Sequence, residues 1–383
     1  MNSEQFEDIR SYNDNEIPSA MAYFADDEQA VSLTNMVFPE KSPDEIKNLL
    51  RSIKTIEEFQ KKVMTRFVKW ITSNTMERVD TQGFDNIKKD RAHLFTGNHR
   101  DITLDAFILQ MCMLEHGLDT CNIAFGNNLI FNKLVSVFCK TNKMFRVERS
   151  QNIRELTRNS QHLSDYIRYL IREKKSVWIA QRNGRTKDGN DKTDHGLITM
   201  FSMSGDRKNL VPNFAELYIT PIATSYEYEP CAMMKARESY IKERDGVYVK
   251  KPMEDYESVI AGINKKKGIM NIAICPEITY DDLRKYEGAD KREVIQAVAD
   301  MIDSRIHANY RLFPNNFIAS DWLSGTSTFS KHYTHEDQDR FKAYTDKIFS
   351  KLLDELGSEA EPRFTEILLG IYAIPVENKI RQD

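Results

Sequence analysis

Cysteine is sparse in this chain. The five residues Cys112, Cys121, Cys139, Cys231 and Cys275 are scattered, form no CxxC pair, and sit mostly in apolar runs. Reduced, buried thiols in a cytoplasmic protein are the expected state. Long apolar stretches are also missing. No uninterrupted run approaches the roughly 18 residues a membrane-spanning helix needs, so membrane contact is expected to be peripheral, on the inner face. The segment from Met1 to Asp8 is acidic and has no apolar core, so no signal peptide is expected. There is no excess of positive charge: Lys and Arg total 54 against 58 Asp and Glu, a formal net charge of -4, which argues against nucleic acid as a partner. Internal repeats, low-complexity segments, P-loops and dinucleotide fingerprints are likewise absent.

What is present is an ordinary globular composition, 40% hydrophobic and 29% charged over 383 residues, enough for one large domain or two to three smaller ones. Ser42-Pro43-Asp44-Glu45 and Thr55-Ile56-Glu57-Glu58 read as helix-opening capping boxes. In the second helix Phe59, Val63, Phe67 and Trp70 form one stripe among Lys61, Lys62, Arg66 and Lys69, a pattern that suits a membrane surface or packing on the next domain. From about residue 76 the period changes. Apolar runs at 93–96, 122–126, 144–147, 176–181, 217–225 and 268–275 alternate with helical patterns at 103–116, 128–139 and 151–173. That alternation predicts an α/β fold with a mostly parallel central sheet flanked by helices, and with helical N-terminal and C-terminal additions. The expected divisions are a helical region 1–78, an α/β domain 79–285 with its motifs in 80–230, and a helical region 286–383 with helices at 292–310 and 336–356. The charged stretch 233–267 reads as an exposed insertion before the last strand.

The chain turns on residues 94–105. Leu94 and Phe95 end an apolar run at Gly97 and Asn98, which can take the tight turn a strand end needs. His99 follows, with Asp101 and Asp105 downstream. Leu104, Phe107, Ile108, Met111 and Leu114 then recur at helical spacing. The imidazole is therefore predicted at a strand-to-helix junction, where a carboxylate can hold its tautomer while it takes a proton from a hydroxyl or water. His99-Arg100-Asp101 also matches the first letters of the protein-kinase catalytic loop. Ala106 stands where the metal-binding Asn should be, however, and no Asp-Phe-Gly follows. His332 and His335 have helical spacing but no third ligand, so no metal site is expected.

Cations gather at other predicted strand ends. Arg149 follows the strand at 144–147, and the buried run at 176–181 leads into Arg182-Asn183-Gly184-Arg185-Thr186-Lys187. Guanidinium groups on such loops are suited to gripping phosphate through paired hydrogen bonds. A further predicted strand contains Pro221, which cannot donate to a central ladder and so marks an edge, a strand start or a bulge.

The order Asn98-His99-Arg100 with a following Asp, a strand ending in Arg149, a Gly184-Arg185-Thr186 loop and a strand with Pro221 resembles the four motif blocks of the glycerolipid acyltransferases, over roughly residues 80–230. The resemblance implies transfer of a fatty acyl group from acyl-CoA or acyl carrier protein to glycerol 3-phosphate or lysophosphatidic acid. It makes His99 the general base, an Asp its orienting partner, and the motif arginines the grip on the acceptor phosphate. Arg100, Arg149, Arg182, Asn183, Gly184, Arg185 and Lys187 are the implied substrate-binding residues. No metal or bound cofactor is implied; the acyl thioester is a co-substrate.

Two departures stand out. The family has four residues between His and Asp, whereas Asp105 follows His99 after five. Six helical positions turn about 600°, so the pair cannot share a helical face. Either a non-helical turn intervenes and Asp105 serves, or Asp101 does. The third block has Asn183 where the family usually has Glu. These departures leave room for a catalytically weak, lipid-binding or regulatory relative of the same fold, or for a non-phosphorylated lipid acceptor.

Overall fold

The short apolar runs fold as neighbours in one seven-stranded sheet. The computed structural model describes residues 3–148, 150 and 152–382. The strands are β1 (Met76–Gln82), β2 (Leu94–Gly97), β3 (Asn122–Gly126), β4 (Met144–Val147), β5 (Val177–Ala180), β6 (Ile219–Tyr226) and β7 (Gly268–Ile274). Their order is β1-β7-β6-β2-β5-β3-β4. All pairs are parallel except β6 with β7. The six runs expected as strands are β2 to β7. β1 gives no signal in the sequence because it is a polar edge strand in which only Met76 is buried.

Alternation places one set of side chains on each face. Phe95 and Trp178 join the N-terminal helices and the helix Leu104–Glu115 in one core. Leu94, Val177 and Ile179 join the helices Ile153–Arg172 and Lys291–Asn309 in a second. The C-terminal helices Pro314–Ser324, His335–Leu356 and Glu361–Ile380 build a third core, against Ala232–Asp245. The Ser42 capping box forms as read, whereas Glu58 reaches back to the Lys54 N–H instead of that of Thr55. The second helix is interrupted by a π turn at Gln60–Met64. Its aromatic stripe packs inward: Phe59 is buried and Val63, Phe67 and Trp70 lie against the first core. The lysine-flanked stripe is therefore not a face a membrane could meet. Among the described residues no helix is long and apolar enough to cross a membrane.

Pro221 sits inside β6, a central strand buried along its whole length, and not at an edge or strand start. Its carbonyl accepts from Cys275 N, one residue beyond β7, so the missing N–H faces the end of that ladder and costs no hydrogen bond. The stretch 233–267 is exposed over 242–247 and 249–253, as expected of an insertion, but not throughout. It carries the helices Ala232–Asp245 and Glu254–Asn264, which bury Lys235, Ala236, Ser258 and Gly262 against the C-terminal ends of the strands.

At the opposite, N-terminal end of β2, His93 is fully buried, with Thr220 Oγ1 at 2.9 Å from Nδ1 and the Lys88 N–H donating to Nε2 at 2.9 Å. Burial pushes this imidazole down to about 4, and an acceptor Nε2 also requires the neutral ring. The unfolded chain takes up this proton near pH 6.5 and the folded one only near 4. His93 thus contributes stability above pH 6.5 that is lost as pH falls towards 4. At about 1.4 kcal/mol per pKa unit, denaturant midpoints should report a loss of roughly 3 kcal/mol across that window, absent in His93→Gln.

Candidate active site

Strands β2 to β6 run the same way, so their C-terminal ends share one edge of the sheet. Between β5 and β6 the chain crosses from one side of β2 to the other, which opens the crevice where parallel α/β sheets bind ligands. The turn after β2 fills that crevice. Gly97 is needed for close approach, since a Cβ there would lie 3.0 Å from the Ile222 carbonyl oxygen. Neither Gly97 nor Asn98 has a positive φ. Asn98 instead continues the ladder with its side chain: Oδ1 accepts from Thr224 N at 2.7 Å and Nδ2 donates to Thr224 O at 2.9 Å.

His99 comes next, with 14% of its side chain exposed. Its Nδ1 lies 3.0 Å from Asp105 Oδ2, and its ring meets the edge of Trp178 with centroids 5.7 Å apart. Nε2 bonds to no described residue. Asp105 is the first-turn acid of the helix Leu104–Glu115, and residues 98–103 before it are non-helical, which resolves the six-residue spacing. The same Oδ2 accepts from Arg100 N at 2.7 Å and Asp101 N at 2.9 Å. Oδ1 accepts from the Tyr226 hydroxyl at 2.8 Å. Burial and the Asp105 charge hold that hydroxyl well above its ordinary range, so it stays a donor. Asp101 does another job: Oδ1 accepts from Thr103 N and Leu104 N, both at 3.0 Å, closing the turn onto the helix. Its Oδ2 faces Gly262, where any Cβ would collide with the carboxylate.

Residues 78–225, which contain His99, Asp101 and Asp105 but neither Tyr226 nor Gly262, match the family model described as Acyltransferase. This segment is an acyltransferase domain. No curated protein matches the chain. Among solved structures, the 1-acyl-sn-glycerophosphate (LPA) acyltransferase PlsC from Thermotoga maritima is similar at 12% identity, over 75% of this chain and 92% of that one, with a TM-score of 0.38.

Within the acyltransferase domain the cations expected to bind substrate separate into different environments. Arg100 does not face the crevice. It is fully buried, with Nη2 on Asp191 at 2.5 Å and Nη1 on Glu229 at 3.2 Å, and Lys235 pairs with the same Glu229. Burial alone would lower the Arg100 guanidinium, but Asp191, Tyr310 and Glu229 raise it well above its ordinary value. It is a permanently charged strut with no donor left facing solvent. Lys187 is paired with Glu238. Arg149 lies outside the described residues.

Arg185 is different. Its side chain is buried, Nη2 donates to Ser258 Oγ at 3.2 Å, and Nη1 has no hydrogen-bond partner among the described residues. The next residue, Thr186, donates its N–H to the His99 carbonyl at 2.8 Å, which ties this loop to the histidine turn. Arg182 and Asn183 line a separate cavity of about 290 Å³ with Asn190, Lys192, Thr193 and Asp194; none of residues 97–105 is on its wall. Gly184 turns the loop at φ 77°, with open space around it. Among the described residues no group of three His, Cys, Asp or Glu could hold a metal ion.

Sequence reasoning missed Tyr226, Asp191, Glu229, Lys235 and Ser258. Asp191 joins Arg100, Asn98 and Thr186 in one network, with the Thr186 hydroxyl donating to Oδ1 at 2.8 Å. All five residues lie far along the chain from His99, and only Tyr226 carried a signal, as the last residue of a legible strand.

Proposed function

We propose that the protein is a glycerolipid O-acyltransferase, moving a fatty acyl group from acyl-CoA or acyl carrier protein to the hydroxyl of glycerol 3-phosphate or lysophosphatidic acid. The observation that carries this reading is the His99 ring, with Nδ1 held by Asp105 and Nε2 bonded to no described residue, inside an acyltransferase domain. With the Nδ1 proton donated to Asp105, the lone pair on Nε2 is available to the acceptor. As the acceptor oxygen bonds to the thioester carbonyl carbon, Nε2 takes the hydroxyl proton. The C–S bond then breaks and the proton passes to the leaving sulfur. Asp105, buried and held by two backbone N–H groups and Tyr226, stabilises the transient imidazolium without needing to reorganise.

The unpartnered Arg185 Nη1 supports a phosphate on the acceptor. Charge reversal in Arg185→Glu should then lower kcat/KM for a phosphorylated acceptor by about 10- to 100-fold, through acceptor KM, with donor KM little changed. The neutralised state of Arg100 and Lys187 favours a second reading, a non-phosphorylated lipid acceptor; under it Arg185→Glu leaves acceptor KM unchanged. The activity itself is tested by acceptor-dependent release of thiol from acyl-CoA. Binding of acceptor and thioester without any release would instead mark a lipid-binding or regulatory relative.

A further inference from the structure

Asp105 Oδ2 meets His99 Nδ1 and two backbone N–H donors, and those two belong to consecutive peptide groups. The Arg100 N–H shares its peptide with the His99 carbonyl. The Asp101 N–H shares its peptide with the Arg100 carbonyl. A peptide whose carbonyl accepts a hydrogen bond is polarised and donates more strongly at its N–H. Whatever stands behind each carbonyl therefore acts on the carboxylate that orients His99.

Behind the first carbonyl is a neutral donor, the Thr186 N–H at 2.8 Å. Behind the second is a charge. Lys235 Nζ donates to the Arg100 carbonyl oxygen at 2.6 Å, and the lysine is 1% exposed. Lys235 lies in the first turn of the helix Ala232–Asp245, beyond the segment that matches the family model.

That placement does not favour the helix. A cation in the first turn opposes the positive end of the helix dipole. The helix is also entered through Cys231 at φ 57°, the left-handed region that a residue with a Cβ rarely adopts. Charge balance explains part of the arrangement: Arg100 and Lys235 face Asp191 and Glu229 in one buried set. Balance needs only the contact of Lys235 with Glu229. The bond to the carbonyl adds a charge-assisted donor to a peptide that ends on Asp105.

We propose that Lys235 is a positioning residue for the reaction: through the Arg100–Asp101 peptide it holds the Asp101 N–H on Asp105 Oδ2, and so fixes the carboxylate that orients His99. The inference rests on the acyltransfer reading for its bearing on turnover, but the effect on the peptide is measurable without substrate.

Three variants test it. Lys235→Met keeps an unbranched side chain and removes the ammonium. Lys235→Met/Glu229→Gln removes one charge of each sign, so the buried set stays balanced; it carries both readouts if the single variant does not fold. Arg237→Met, in the same helix, breaks the ion pair to Glu355 and controls for a loosened helix. In amide spectra of the protein without substrate, the Asp101 N–H proton should move upfield in both Lys235 variants. The Arg100 N–H proton, still backed by Thr186, should stay near its wild-type position, and neither should move in Arg237→Met. In thiol-release assays kcat should fall about 10-fold in the Lys235 variants, with donor and acceptor KM within about twofold of wild type.

An Asp101 amide that keeps its wild-type position in the balanced double variant overturns the proposal. So does a shift of both amides together with a raised KM, which would mean that the turn has merely loosened. A shift of the Asp101 amide alone with kcat unchanged also overturns it. The expected shift in a protein whose wild type turns over no thioester would uphold the action of Lys235 on the peptide and defeat the acyltransfer reading alone.

Discussion

Replacement of Asp105 by alanine is expected to damage folding and activity together, whereas replacement by asparagine should separate them. The Asp105 carboxylate accepts from His99 Nδ1, two backbone N–H groups and the Tyr226 hydroxyl. Alanine leaves the backbone donors of Arg100 and Asp101 and the Tyr226 hydroxyl buried without an acceptor. An unsatisfied buried donor costs about 1–3 kcal/mol, against a total stability of about 5–15 kcal/mol for a folded domain. Asp105→Ala should therefore lose several kcal/mol in denaturant unfolding and much of its soluble yield. Asparagine keeps one acceptor oxygen for the two backbone donors and so preserves the turn. With that oxygen in the Oδ2 position it still accepts from His99 Nδ1 and its amide turns to the Tyr226 oxygen, but it carries no charge to stabilise the imidazolium. Turnover in Asp105→Asn should fall by about 10²–10⁴-fold with an unfolding midpoint near wild type. Comparable loss of stability in both variants would mean that the carboxylate serves the turn alone.

The sheet was legible because its central strands are short apolar runs ended by turn residues. β2 and β5 alternate between two buried faces, and nothing beyond local pattern is needed to find them. β1 was not legible, since an edge strand reading Met-Glu-Arg-Val-Asp-Thr-Gln owes its conformation to its pairing with β7, almost two hundred residues away. The site divided in the same way. His99 at the end of β2 follows from local pattern, as does the presence of two candidate carboxylates. Which one pairs with the ring depends on a non-helical turn whose shape is set by Asn98 gripping Thr224 and by Asp101 facing Gly262. Arg100 shows the limit most plainly. A guanidinium beside a loop histidine reads as a ligand grip, and only Asp191 and Glu229, brought in from distant segments, reveal it as a buried strut. Lys235 was misread for the same reason: charged residues on a helix look exposed until their partners are known.

The most direct measurement is turnover by His99→Ala. The side chain is partly exposed and makes one side-chain hydrogen bond, so its removal should shift the unfolding midpoint little. A general base contributes about 10²–10⁴-fold, and acceptor-dependent thiol release should fall by that factor while donor and acceptor still bind. A folded His99→Ala protein that transfers acyl groups at close to the wild-type rate would contradict the account.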